Sequence, residues 1–187
     1  MQELRQLGMA KADFSIDFAV MPSMEDCLFN SANGFDEVTF MFSANNGEPL
    51  KPLSQVISGG EMSRFMLSIK AQSAKVNDLS TFVFDEIDAG ISGVVASKVA
   101  EKFAVISKNV QIIAITHLPQ ISSMADNNLL ITKFEGEDKT ITTVKTLSAE
   151  DKIKEIIRLV GGSESDVSYS LAKELIDKAN NFKKSLN

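Results

Sequence analysis

The sequence predicts an α/β fold with parallel core strands flanked by helices, plus antiparallel edge strands. Thr81-Phe82-Val83-Phe84 and residues 111–116, which include Ile112, Ile113 and Ile115, are short continuous apolar runs. Strands buried on both faces read this way. Between them Val95, Val99, Phe103 and Ile106 follow Ser92-Gly93 at helical spacing, so strand, helix and strand make a βαβ unit in a parallel sheet. Earlier in the chain Phe14, Ile16, Phe18 and Val20 alternate with Ser15, Asp17 and Ala19, and Val38, Phe40 and Phe42 alternate again. That period of two predicts an antiparallel pair.

Each remaining element has a local signal. Residues 1–8 carry Leu4 and Leu7 at helical spacing and a stop at Gly8, so they read as the end of a helix. Residues 22–34 read as a loop, with Asn30, Asn33 and Gly34 marking a turn; Asn45-Asn46-Gly47 ends the second strand. Residues 48–57, with Pro49 and Pro52, read as an irregular approach to a helix over about residues 58–76. Met62, Phe65, Met66 and Ile69 give that helix its i, i+3, i+4, i+7 period. Residues 129–131 and 140–144 are strand-like and meet at the turn Gly136-Glu137-Asp138, a hairpin. Ser148 and Asp151 begin a capping-box pattern before Ile153, Ile156, Ile157 and Val160, and Gly161-Gly162 stops that helix. Val167, Leu171, Leu175 and Ala179 define a last helix, with a frayed tail expected after Asn180.

Composition bounds the function. With 187 residues, 44% of them apolar and 24% charged, the chain can bury a substantial core as one domain or a large part of one. No apolar run approaches the roughly 20 residues of a membrane span, and residues 1–11 are too polar for a signal peptide. The single cysteine, Cys27, excludes an intrachain disulfide and fits a reducing cytoplasm; it reads as a small apolar residue rather than a nucleophile. A net charge of −6 argues against a large nucleic-acid face on this chain. The Lys183-Lys184 pair reads as a solvated end.

Three places carry chemistry. Ser58-Gly59-Gly60-Glu61 opens a helix and could be a capping box, Ser58 accepting from a backbone N–H and Glu61 reaching back. A cap does not explain two glycines, each costing a helix about 1 kcal/mol relative to alanine. Glycines allow a ligand close to the backbone, and a helix N-terminus suits phosphate; the local physics leaves cap and anion site open. Asp85-Glu86 ends the first apolar strand, where in phosphate-cleaving enzymes the first acid helps hold Mg²⁺ and the second orients or deprotonates water. Two acids would also begin an ordinary solvated loop. His117, the chain's one histidine, ends the second strand. In open α/β sheets ligands bind beyond such carboxyl ends.

Taken in order, Ser58-Gly59-Gly60-Glu61, then Phe82-Val83-Phe84-Asp85-Glu86, then residues 88–92, then His117, resemble the signature motif, Walker B, D-loop and switch histidine of ABC ATPases. Glu86 is followed by Ile87-Asp88-Ala89-Gly90-Ile91-Ser92-Gly93 rather than the proline and threonine usual in transporter ATPases. With residues 47–53 and Thr116-His117-Leu118-Pro119-Gln120, this wording is similar to the SMC-like chromosome-maintenance and repair branch. The resemblance implies a P-loop NTPase-like fold, the C-terminal lobe of an ABC ATPase head. Residues 1–10 would end a coiled-coil arm and residues 11–57 would hold the antiparallel strands and approach loop. Residues 58–147 would carry the motifs, and residues 148–187 the C-terminal helices.

It also implies roles. Ser58, Gly59, Gly60 and Glu61 would meet ATP bound to the opposite subunit of a head-to-head homodimer. Asp85 would support Mg²⁺, Glu86 would act on the hydrolytic water, and His117 would contact the γ-phosphate in its own subunit. Asp88 and Ser92 would lie at the dimer seam. DNA would be engaged through the full assembly, in double-strand break repair and recombination, in the cytoplasm at the nucleoid and with no membrane partner. A P-loop requires Gly-x-x-x-x-Gly-Lys-Ser/Thr, and none of the ten glycines is followed by lysine. The resemblance places that motif in a separate N-terminal segment, so the chain is expected to be inactive alone. The competing classes are a non-catalytic ABC-like dimerisation or docking module and half of a transporter ATPase.

Overall fold

The computed structural model describes residues 1–20, 36–45, 47–55, 59–73, 81–85, 87–91, 93–135, 139–163 and 165–186. The expected loop at 22–34 with Cys27, Ser58, Glu86, Ser92 and the turn Gly136-Glu137-Asp138 lie outside these residues. The chain forms two compact units, Met1–Ser68 and Ile69–Asn187.

In the first unit, α1 (Gln2–Gln6) ends at Gly8, whose φ of 82° is left-handed. β1 (Asp13–Val20) and β2 (Asp36–Ser43) pair antiparallel in the register Phe14↔Phe42, Ile16↔Phe40 and Phe18↔Val38. The alternation in sequence therefore puts six apolar residues on one face. Phe14 and Phe42 sit 5.4 and 5.1 Å, ring centre to ring centre, from Phe65 of α2 (Gly59–Ser73), while Ile16, Phe18, Val38 and Phe40 at the far end are exposed. The approach segment is more regular than expected. Lys51–Pro52 forms β3 against Met41 and Phe42, and Leu53–Gln55 makes a 3₁₀ turn. In α2 the buried large or apolar side chains are Arg64, Phe65, Leu67 and Ala71, whereas Met66 of the expected apolar face is exposed.

The second unit holds the βαβ motif. β4 (Thr81–Phe84) and β5 (Gln111–Ala114) pair in parallel, Phe84 beside Ala114, and α3 (Gly93–Ile106) connects them. Burial differs from the expected two-sided pattern. Phe82 and Phe84 are buried, with Phe84 5.0 Å from the Phe103 ring of α3. Val83, Ile113 and Ile115 are 62%, 47% and 52% exposed. One face of the pair thus packs on α3 and the other lacks a cover among the described residues.

A short helix, α4 (Pro119–Met124), follows β5. The expected hairpin is present as β6 (Leu129–Glu135) and β7 (Thr140–Thr146), in the register Ile131↔Val144 and Phe134↔Ile141. α5 (Ala149–Leu159) is capped by Ser148, which accepts from the Asp151 N–H at 3.1 Å. α6 (Asp166–Ser185) is likewise capped by Ser165 and stays helical past Asn180, where fraying was expected. Ile156 and Ile157 pack with Ala172; Val167 and Leu171 of the expected apolar face are exposed.

Candidate active site

β4 and β5 run side by side and deliver their next residues to one edge of the sheet. The Ile115 N–H donates to the Phe84 carbonyl at 3.0 Å, extending the ladder to the last residue of β4. Asp85 therefore leaves β4 at the edge where Thr116 and His117 leave β5, as the parallel register requires. Asp85 is exposed.

Beyond Asp85 the chain turns back into the protein. Ile87 is fully buried and anchors the turn, Gly90 takes φ 71°, and the Ile91 N–H donates to the Asp88 carbonyl at 3.4 Å. This brings Asp88, 4% exposed, against the end of β5. Its Oδ2 accepts from the Thr116 hydroxyl at 2.5 Å and from the His117 backbone N–H at 2.8 Å, and lies 3.1 Å from His117 Nδ1. The Thr116 oxygen in turn accepts from the Leu118 N–H at 3.0 Å, just ahead of Pro119, which opens α4. One buried carboxylate thus ties the loop after β4 to the loop after β5. The His117 ring itself is 74% exposed.

At the start of α2, Gly59 is exposed and Gly60 buried. Burial pushes the Arg64 guanidinium below its ordinary value, and the charge of Glu61 opposes that shift. Of the sequence-predicted residues, Asp85, Asp88 and His117 come together at the sheet edge, whereas Gly59, Gly60 and Glu61 belong to the first unit. Thr116 was missed as a functional residue. A hydroxyl beside the lone histidine at a strand end was the available signal.

No group of three or more His, Cys, Asp or Glu among the described residues could hold a metal ion by itself. Asp85 nonetheless places one carboxylate, a hard oxygen donor, at the sheet edge. Mg²⁺ keeps several waters and takes one or two carboxylates, so the donor set fits that ion.

Comparison with known proteins settles the kinship. The chain is 42% identical over 97% of its length to the DNA repair protein RecN of Bacillus subtilis. It is 41% identical over 97% to RecN of Halalkalibacterium halodurans, and 38% over 94% to that of Vibrio cholerae. The chain is a RecN homologue. It spans about a third of the length of these RecN relatives, 33%, 32% and 31% respectively.

No protein-family model matches the chain. Among solved structures, the Smc head domain with coiled coil and joint from Pyrococcus yayanosii matches 84% of the chain at 20% identity and TM-score 0.59, over 27% of its own length. The Smc head of Pyrococcus furiosus bound to the C-terminal domain of ScpA matches 85% at 21% identity and TM-score 0.55, over 36% of its own length. The fold is that of part of an SMC head, P-loop NTPase-like and mixed α/β.

Proposed function

We propose that this chain is the C-terminal half of the ATPase head of a RecN-type DNA-repair protein, and that it completes its nucleotide site only in assembly. The observation that carries the reading is the shared edge of β4 and β5, where Asp85 and His117 emerge together and Asp88 joins their loops. In this reading Asp85 holds Mg²⁺, in part through water, and Glu86 positions or deprotonates the attacking water. Mg²⁺, when bound, neutralises charge on the phosphates. His117 contacts the γ-phosphate of ATP in its own head. Ser58, Gly59, Gly60 and Glu61 meet the γ-phosphate of ATP on a second head, with backbone N–H groups supplying charge stabilisation. Asp88 and Ser92 lie on the loop at the seam between the two heads, the Asp88 carboxylate turned inward.

The P-loop comes from an N-terminal segment of the same protein. The bare face of β4 and β5 supports this, since parallel sheets are normally covered on both faces. Residues 1–10 end a coiled-coil arm, residues 11–57 form the strand layer, residues 58–147 carry the motifs and residues 148–187 are the closing helices. ATP binding between heads drives dimerisation, DNA is engaged through the full cytosolic assembly at the nucleoid, and the process served is double-strand break repair and recombination. Among the described residues no helix is long and apolar enough to cross a membrane.

Mixing the chain with the matching P-loop segment tests the reading. Mg²⁺-dependent ATP hydrolysis is expected from the mixture and not from the chain alone. Glu86→Gln should lower the rate by about 10²–10⁴-fold, the range for a positioned proton-transfer group. Robust turnover by the chain alone that Glu86→Gln abolishes would sink the half-head proposal, and stable assembly without turnover would favour a docking module.

A further inference from the structure

The hydrogen-bond mesh around Asp88 has a consequence for the histidine. A carboxylate is acceptor-only, and this one is buried and aligned by two donors that cannot be anything else. The backbone N–H of His117 is one, at 2.8 Å. The other is the Thr116 hydroxyl at 2.5 Å, which can only donate to an ionised carboxylate oxygen while its own oxygen accepts from the Leu118 N–H. With Oδ2 so placed, His117 Nδ1 lies 3.1 Å away. A bare Nδ1 would set its lone pair against a carboxylate oxygen, whereas a protonated Nδ1 donates to it. Which nitrogen of an imidazole carries the proton is set by the hydrogen bond its other nitrogen makes.

We infer that Asp88 is a positioning residue that fixes His117 as its Nδ1–H tautomer, leaving Nε2 as the only ring nitrogen offered to a ligand. The tautomer follows from the mesh alone; its use against a phosphate rests on the function proposed above. The ring projects outward while its backbone N–H and Nδ1 both address one oxygen, so the imidazole is steered by a group inside its own chain. A neutral ring so held presents Nε2 as an acceptor, and a phosphate oxygen is met only when the ring carries its second proton there. The arrangement parallels the buried aspartate that orients the histidine of serine proteases, where replacing the acid by its amide leaves the geometry but yields the wrong tautomer.

Because the chain has one histidine, ¹⁵N NMR of the imidazole reads the tautomer without assignment ambiguity. At alkaline pH, where the ring is neutral, the wild-type chain should show a protonated Nδ1 and a bare Nε2. In Asp88→Ala the acceptor is gone, and Nε2–H should replace Nδ1–H as the main neutral form. In the head assembled with its P-loop segment, His117→Ala tests the γ-phosphate contact by itself. A wild-type ring protonated at Nε2 overturns the inference whether or not the variant folds, as does an Asp88→Ala ring that keeps Nδ1–H as its main form. His117→Ala with undiminished turnover would remove the γ-phosphate role and leave the tautomer assignment standing, so the two readings fail separately.

Discussion

Lys145 of β7 reaches across to α5, its ammonium donating to the Asp151 carboxylate at 2.9 Å. That hydrogen bond first, and the lysine's charge second, hold the Asp151 carboxyl below its ordinary value, and hydrogen bonds from the Ser148 hydroxyl and backbone N–H to the carboxylate add to the effect. A lowered pKa means the folded state favours the ionised form. The contribution is therefore present above the usual carboxylate pKa and is lost as pH falls through the lowered value. Acid titration by NMR should show Asp151 ionising at lower pH than its unperturbed counterpart, and Lys145→Met should move it back up. The pair is exposed, so stability itself should change little. At this scale the sequence offered candidate residues but not how they connect. Asp85, Glu86, Asp88 and His117 were legible as residue types at strand ends. That Asp88 turns inward to take Thr116 and His117 on one oxygen was not, because spacing cannot say which way a loop carboxylate faces.

Between α5 and α6 the two glycines have separate reasons. Gly161, at φ 76°, donates to the Arg158 carbonyl, and Gly162 donates to the Ile157 carbonyl; the pair of bonds makes a Schellman ending. Gly162 is glycine for lack of room. A Cβ there would lie 2.4 Å from Ser168 Oγ and 2.9 Å from Ser168 Cβ, inside the first turn of α6. Gly162→Ala should therefore cost about 1–3 kcal/mol, as overpacking does, and a chemical denaturation curve should show it; Ser168→Ala, by removing the nearer atom, should restore part of the loss. Legibility at this scale followed period and length. The β1–β2 and β6–β7 pairings and the α5 boundaries were readable from alternation, caps and glycines. α4 was missed because six residues are too few to show a helical period. The α6 face was half legible: Ala179 is buried and Leu175 packs on the core as expected, whereas Val167 and Leu171 are exposed and Ala172, a small residue with a weak hydropathy signal, takes their place.

For the molecule as a whole, the unexpected observation is the one-sided sheet. The apolar runs of β4 and β5 were read as buried on both faces, yet Val83, Ile113 and Ile115 remain exposed among the described residues. The half-head proposal accounts for the difference, since the P-loop segment would cover this face. Val83→Asp should leave the folding of the chain nearly unchanged, within about 0.5 kcal/mol for an exposed site, and should abolish assembly with the P-loop segment in a pull-down or sedimentation measurement. Tight assembly by Val83→Asp would show that this face is not the contact.

The same face also bears on how the protein behaves when made without the proposed P-loop segment. In the two-stranded sheet each of β4 and β5 has one described neighbour, so each has an outer row of backbone groups beside an apolar surface. Unpaired edges of that kind invite association with other chains. Produced alone in a cell, the chain should therefore collect in inclusion bodies or on chaperones, and the Val83→Asp change should move it into the soluble fraction.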